Sequence, residues 1–488
     1  MTAPFPKKAV AALTLAAVAW HGAWATTIPQ PIDWDPAYYL DVATNLAHGH
    51  GAVTHAIWHL SGPDLPLPQP ADLHWMPLPS RILVPLVWLL GTVGASVTAV
   101  LVAAAWVPVT ALLAHHLSPE RRVVVGASLL AVLGGGYVRF LSTPDSMGLF
   151  GLLGGLAWWT AARNCTGPTL LLAALLALTR GDGFLLAPCL GLVLFLHGSR
   201  TGAVAVSAAG PVAFATWSVR SWWLAGPELL VARAHTSGAM HIHDLLLGRT
   251  PDPSLTERLN ALYDGVSGAI GAALLVGVVF LPILAMWGAA RDRHNPLVRG
   301  ILVYAPGFVL VTHLLAPGVA ASGTAFRSGA ALFLPACALA TIAAFQLGDL
   351  GHRARGYPRW LVPGLLALGF IVGTVGLGLG TNQARPGPPI TCLDAPSTGP
   401  VLSGRPLLVR TICGPPALAL FRGEDPTAVA QRAQRHGAYV AWLPEHDTDP
   451  LVPTRSDAPI LLPGWREWAP GLFLHPDAPS PTVPPKGW

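Results

Sequence analysis

Charge is what this sequence has least of. Asp, Glu, Lys and Arg make up only 11% of its 488 residues, against 52% that are hydrophobic. A soluble domain rarely combines so little charge with so many long apolar runs. Cysteine is also scarce: there are five, with no C-x-x-C pair and no His/Cys zinc spacing. That leaves out zinc-finger and thioredoxin-like sites. Cys165, Cys189 and Cys337 fall in or beside apolar segments and read as packing residues, whereas Cys392 and Cys413 fall in a hydrophilic tail. If that tail lies outside the cytoplasm, the two could pair, although spacing alone does not fix disulfide geometry. No basic run is interleaved with aromatics, so the net charge of +5 points to membrane topology and not to nucleic acid. No Walker or Rossmann glycine fingerprint occurs, and no repeat of fixed period.

What is present is a series of apolar runs of about 18 or more residues, each able to cross a hydrocarbon core about 30 Å thick. The mean hydropathy is +0.52. The 52 Gly and 48 Pro would disrupt soluble helices but are better tolerated between packed membrane helices. Lys7-Lys8 followed by Ala9 to Thr26 reads as a retained first helix. The competing reading is a signal peptide cleaved near Ala23-Trp24-Ala25. Further spans are expected at about 95–116, 122–142, 146–162, 168–179, 183–197, 202–223, 264–289, 299–318, 326–347 and 360–380, which makes about eleven. The two short ones, 168–179 and 183–197, form a broken pair.

Charge orients this arrangement. With the N-terminus inside, Arg121-Arg122, Arg163, Arg200, Arg291 with Arg293, and Arg353 with Arg355 and Arg359 all fall on cytoplasmic loops. That satisfies the positive-inside rule. The outer face then receives the loop 28–93, the turn at Asp145, the loop 224–263 and the tail 381–488. Within the first outer loop, Asp35 to Leu46 and Arg81 to Leu90 read as interfacial helices. The tail has strand-like runs at Pro406 to Arg410 and Ala438 to Leu443, with a helix-like segment at Asp425 to His436 between them. It reads as a small α/β domain of about 100 residues. The expected division is therefore a transmembrane domain over 1–380 and an extracytoplasmic domain over 381–488.

Against so apolar a background, grouped acids need a reason. Ile32-Asp33-Trp34-Asp35-Pro36-Ala37-Tyr38-Tyr39-Leu40-Asp41 places three carboxylates on the first outer loop. They could serve as a general base toward an acceptor hydroxyl or hold a divalent metal with a substrate phosphate. Asp33-Trp34-Asp35 can be read as a metal-binding D-x-D. Equally, Asp35 before Pro36 is an ordinary helix-capping arrangement. Asp145, in Ser142-Thr143-Pro144-Asp145-Ser146, lies on the same face and could also cap a helix. Arg180, in Leu178-Thr179-Arg180-Gly181-Asp182, could bind a phosphate or simply pair with Asp182. Arg327, in Thr324-Ala325-Phe326-Arg327-Ser328, could bind phosphate or snorkel to the interface. His74 could contact substrate, and Trp75 could stack on a sugar or anchor among headgroups. His235, His241, His243 and Asp244 match no specific zinc pattern.

Taken in order, Asp35-Pro-Ala-Tyr-Tyr, Asn45-Leu46-Ala47-His48-Gly49, Trp75-Met76-Pro77-Leu78-Pro79, Pro144-Asp145 and Leu178-Thr179-Arg180 resemble the GT-C superfamily of membrane glycosyltransferases. The resemblance is in particular to bacterial relatives of protein O-mannosyltransferases and of the lipid A aminoarabinose transferase (glycosyltransferase family 39-like). It spans about residues 1–350. It implies a GT-C fold, and transfer of a sugar from a polyprenyl-phosphate carrier to an acceptor outside the cytoplasm, with inversion at the anomeric carbon. By the same resemblance Asp35 matches the catalytic base and Asp145 the second acid; Asp33, through the D-x-D reading, is the fallback base. Tyr38, His74, Trp75, Arg180 and Arg327 fall to substrate binding. His74 stands where the relatives carry a more basic residue. The Trp-Trp-Asp hallmark of oligosaccharyltransferases is absent: Trp158-Trp159 is followed by Thr160, and Trp222-Trp223 by Leu224.

The expected protein is thus an inverting glycosyltransferase of a bacterial-type plasma membrane, with a polyprenyl-phosphate sugar as donor. Two other classes remain open at this stage. In a lipid-linked substrate transporter or flippase, Arg180 and Asp182 would line a path near the bilayer midplane. A non-catalytic assembly protein would need neither Asp35 nor Asp145.

Overall fold

The computed structural model describes residues 4–28, 34–57, 66–73, 75–226, 260, 263, 280–311, 324–383, 400–403, 409–410, 416–420, 426–438, 440–443, 455–469 and 472–476. Asp33, His74, Cys392, Cys413, and the loop carrying His235, His241, His243 and Asp244 lie outside these residues.

The described helices follow the apolar runs closely. They are α1 (Lys7–Thr27), α2 (Trp34–Ala47), α3 (Pro77–Leu90), α4 (Thr92–Leu117), α5 (Arg121–Leu133), α6 (Val138–Leu141), α7 (Ser146–Ala162), α8 (Thr166–Thr179), α9 (Leu186–Leu196) and α10 (Arg200–Ala225). Beyond these come α11 (Phe280–Arg291), α12 (Pro296–Val309), α13 (Thr324–Ser328), α14 (Ala330–Arg355) and α15 (Leu361–Gln383). Among the described residues, five helical stretches are long and apolar enough to cross a membrane: Lys7–Thr27, Thr92–Leu117, Arg121–Leu141, Arg200–Ala225 and Ala330–Arg355. Seven shorter apolar helices accompany them. The protein is an integral membrane protein by this measure.

A bundle of α4, α5, α7 and α14 forms the main core, around Trp106, Phe150, Trp158 and Leu334. Lipid offers no hydrophobic drive between such helices, so close van der Waals fit and hydrogen bonds must hold them. Both are visible. The indole N–H of Trp106 donates to the Gly148 carbonyl at 2.8 Å, and that of Trp158 to the Ala331 carbonyl at 3.2 Å. A Cβ at Gly151 would stand 2.2 Å from the Trp106 ring, so this helix face can approach only where side chains are missing.

The short pair expected around residue 180 is broken as read. Helix α8 ends at Thr179, a 3-10 turn covers Gly181–Leu185, and α9 follows. Gly183 is required there, since its missing Cβ would overlap the Leu176 carbonyl at 2.2 Å. The break leaves Arg180 and Asp182 in irregular backbone near the site, in the manner of interrupted membrane helices. At the far end of the bundle, Arg122 donates to Asp349 at 2.8 Å. Helix α7 alone separates that end from Asp145 by about 25 Å, at 1.5 Å per residue.

Among the described residues the tail supplies five strands of a six-stranded sheet and the helices α16 (Pro426–His436) and α17 (Ala458–Leu461). Its strands are β4 (Val401–Ser403), β5 (Ala417–Ala419), β6 (Val440–Trp442), β7 (Arg466–Ala469) and β8 (Leu472–Leu474). The sixth strand, β2 (Ala56–Ile57), comes from the first outer loop and pairs in parallel with β5. The order is β2-β5-β4-β6-β8-β7. Central β4 is buried on both faces, as a parallel strand covered on both sides must be. The loop also carries a small antiparallel pair, β1 (Val53–Thr54) with β3 (Gln69–Pro70). One expectation fails here. Pro406 to Arg410 is not a strand where it is described: Val409 and Arg410 take helical backbone, and the strand lies earlier, at β4. Val409 is buried under the sheet with Val401 and Ala417, while Arg410 turns toward the outer loop.

Candidate active site

Helix α2 is the site's foundation. Its first turn holds Asp35, where the unpaired N–H groups of a helix start favour a carboxylate. Two donors hold the carboxylate. The Trp75 indole N–H donates to Oδ1 at 2.9 Å, and the Arg327 guanidinium to Oδ2 at 2.5 Å. Both side chains are partly open, Arg327 at 26% and Asp35 at 13% exposure, so the pair is accessible to solvent. Arg327 is therefore not snorkelling toward headgroups. It is brought in by α13, the short helix ahead of α14.

One helical turn on from Asp35, Tyr38 stacks on Trp75, ring centroids 4.3 Å apart. Its hydroxyl accepts from the Asp72 backbone N–H at 2.5 Å. Asp72 in turn pairs with Arg81 of α3 and accepts from the Trp217 indole of α10 through its carbonyl, at 2.9 Å. Its φ of +61° is a left-handed conformation that Asp tolerates better than most residues. This loop residue ties α2, α3 and α10 into one frame behind Trp75. Trp75 thus serves the site interior and not the headgroup belt.

Asp145 caps α7, accepting from the Met147 N–H at 2.8 Å. The capping role and proximity to Asp35 hold together. Burial raises the Asp145 carboxyl above the usual carboxylate range. Arg327 opposes that rise, and the negative charge of Asp35 adds to it. Tyr39, also on α2, is held neutral: burial raises its phenol, and Asp35 and Asp145 add to the rise. Asp145 also lines a cleft with Pro79, Leu83, Thr98 and Leu149, about 320 Å³ including its open mouth.

Arg180 lies within electrostatic reach of Asp145 and Arg327. It is paired with Asp182 at 3.0 Å, so the ion-pair reading holds alongside its place in the site. Asp182 also accepts from the Ser328 hydroxyl, next to Arg327. The two arginines are thereby linked through one carboxylate. Of the expected site residues, Asp35, Asp145, Tyr38, Trp75, Arg180 and Arg327 converge. Sequence reasoning overlooked Tyr39, Asp72, Arg81 and Ser328. The pattern Asp72…Arg81, an acid nine residues before a base in a weakly charged stretch, was the available signal for two of them.

Among the described residues, a divalent metal at Asp35 would have to displace Trp75 and Arg327; Asp33, the other half of the D-x-D reading, lies outside them. Both oxygens of Asp35 are taken by donors, one of them a cation. Among the described residues no group of three or more His, Cys, Asp or Glu side chains could hold a metal ion.

No protein-family model matches the chain, and no curated protein sequence does. Solved structures do. The chain is similar to the oligosaccharyltransferase AglB of Archaeoglobus fulgidus in complex with an inhibitory peptide and a dolichol-phosphate. The TM-score is 0.55 at 13% identity, over 90% of this chain and 69% of that one. The same enzyme in complex with Zn and sulfate gives a TM-score of 0.55 at 13% identity, over 89% and 67%. ArnT of Cupriavidus metallidurans bound to undecaprenyl phosphate gives 0.50 at 13% identity, over 91% and 89%. These likenesses show a fold shared with those two membrane enzymes, in keeping with the fold expected from the sequence.

Proposed function

We propose that this protein is an inverting glycosyltransferase that takes its sugar from a polyprenyl-phosphate carrier. The observation that carries the proposal is the partly solvent-accessible contact between Asp35 and Arg327. A sugar-phosphate donor needs a base on one side of the anomeric carbon and a cation on the phosphate side. The structural neighbours captured with dolichol-phosphate and undecaprenyl phosphate support a carrier of that kind. The donor chain lies in the bilayer, so its reactive carbon stays near the headgroup plane. Asp35, in the first turn of α2, and Asp145, at the start of α7, stand at helix ends and not in mid-span. That placement suits a transferase better than a transporter.

The acceptor is a hydroxyl or amine. Asp35 takes its proton as the acceptor atom attacks the anomeric carbon from the face opposite the phosphate. The carbon–oxygen bond to phosphate breaks, and polyprenyl phosphate leaves with the electron pair. Arg327 stabilises the charge that develops on it, with Arg180 behind. In the state described here Arg327 is occupied by Asp35. An arriving phosphate competes for that guanidinium and frees the carboxylate to act as base, so donor binding precedes proton abstraction. Asp145 shapes the field around Asp35, and Trp75 fixes its rotamer. Asp33, two residues before Asp35, is the reserve base, and His74 flanks Trp75 as a substrate contact.

The transfer takes place on the extracytoplasmic face of a bacterial-type plasma membrane. The N-terminus is cytoplasmic, and the domain after residue 380 lies on the active-site side. The test is Asp35→Asn in membranes supplied with a polyprenyl-phosphate sugar. Undiminished transfer by a folded variant would sink the assignment.

A further inference from the structure

Asp41 stands on α2 six residues after Asp35, in a buried position. Its two oxygens face the outer loop and the tail. Oδ2 accepts from the Thr54 hydroxyl at 2.8 Å and from the His55 backbone N–H at 3.0 Å. Oδ1 accepts from Arg410 of the C-terminal tail at 3.1 Å. The His55 peptide continues the link, because its carbonyl accepts from the Ala417 N–H of β5 at 3.0 Å. Asn45, one turn further along α2, donates to the Val53 carbonyl at 3.0 Å and sits 3.3 Å from the His55 ring. Strand β2 then lies in the tail's own sheet, and Leu67 of the loop packs into the tail's core.

We propose that the C-terminal domain sets the working position of Asp35, with Arg410 as the positioning residue that acts through Asp41. The inference rests on the assignment of Asp35 as the base, but it concerns a different contact. Helix α2 is only 14 residues long, about the length at which an isolated helix is marginal in water. Its geometry therefore depends on what grips it. Arg327 and Trp75 grip its start, and Arg410, Thr54 and His55 grip its middle. A buried carboxylate that loses its cation must find water or move. When Asp41 loses Arg410, the turns of α2 on both sides of it open more readily, and Asp35 spends less time on the line between Arg327 and the acceptor. The tail is then a structural part of the site although it contributes no reacting group.

The test is hydrogen exchange on the full chain in nanodiscs, comparing Arg410→Ala, Arg410→Lys and Asp41→Asn with the parent. Two stretches of α2 are read separately, 41–47 beside Arg410 and 34–40 around Asp35. The expected result is exchange about tenfold faster in both stretches for Arg410→Ala. Arg410→Lys recovers much of the protection, and Ser146–Ala162 stays unchanged. Faster exchange confined to 41–47 would overturn the proposal, since Arg410 would then be a local brace. So would unchanged exchange in both stretches. Should Arg410→Ala fail to fold, Asp41→Asn removes the same charge pair and is read against the same two outcomes. Loss of the Asp35 assignment would show separately, as undiminished transfer by Asp35→Asn with the exchange result intact.

Discussion

Asp35 and Arg327 are separated by 292 residues in sequence and meet at 2.5 Å. Each occupies the group that the proposed reaction would use: the carboxylate as base, the guanidinium as phosphate cation. This relationship organises most of what can be tested.

Asp35→Asn keeps shape and much of the hydrogen bonding but removes the base. Transfer from a polyprenyl-phosphate sugar should fall by about 10²- to 10⁴-fold, the range general-base catalysis supplies. Thermal unfolding in detergent should change little. The two measurements together separate lost chemistry from lost fold.

Arg327→Gln removes the cation that the donor phosphate would use. Binding of undecaprenyl phosphate should weaken by about tenfold or more, as expected for losing a charged hydrogen bond. Equilibrium binding in nanodiscs reads this directly. An unchanged affinity would move the phosphate to Arg180.

Trp75→Phe retains the stack on Tyr38 and deletes only the N–H that holds Asp35 Oδ1. Turnover should fall by about tenfold. Donor affinity should stay near the parent value, because the indole N–H touches the base and not the phosphate cation. A matching drop in both would show Trp75 to be a donor contact.

Asp145 predicts a pH signature. Its folded carboxyl is raised to about 6, chiefly by burial, from an unfolded value of 3.8. Between those values the folded state holds a proton that the unfolded state has released. Stability from this group is thus fully present below the unfolded value and is lost as pH rises through about 6. Asp145→Asn should flatten that part of the stability profile. Its side-chain oxygen can still accept the Met147 N–H, so the cap survives. Thermal unfolding of both proteins from pH 4 to pH 8 checks the sign.

Gly151→Ala tests the helix core far from any chemistry. The added Cβ would stand 2.2 Å from the Trp106 ring. Overpacking of this kind costs about 1–3 kcal/mol. The unfolding temperature should fall, while donor affinity per folded molecule should not.

The sequence carried the membrane elements well, because a long apolar run has one common solution in a bilayer. The expected span 95–116 is close to Thr92–Leu117, and the break near Arg180 follows from Gly181 and Gly183 beside short apolar runs. The acids at 35 and 145 were legible because charge in so apolar a chain is conspicuous. Arg327 was legible as a candidate cation, but its partner was not. No periodicity or spacing links residues 292 apart in one chain. The same limit hid β2, two residues whose strand state depends entirely on a tail more than 350 positions later. It hid Arg410 as well, which reads from sequence as part of a strand and in the structure reaches Asp41. Short strands borrow their conformation from neighbours, so the tail's register was the least readable part of the chain.

Asp72 has a mechanical consequence. Its N–H, carbonyl and carboxylate are committed to Tyr38, Trp217 and Arg81 in turn, on three different helices. A hinge needs a residue that can rotate without losing several bonds at once, and this one cannot. The backbone behind Trp75 therefore behaves as a fixed anchor, and a shift in any one of those three helices is felt by the other two.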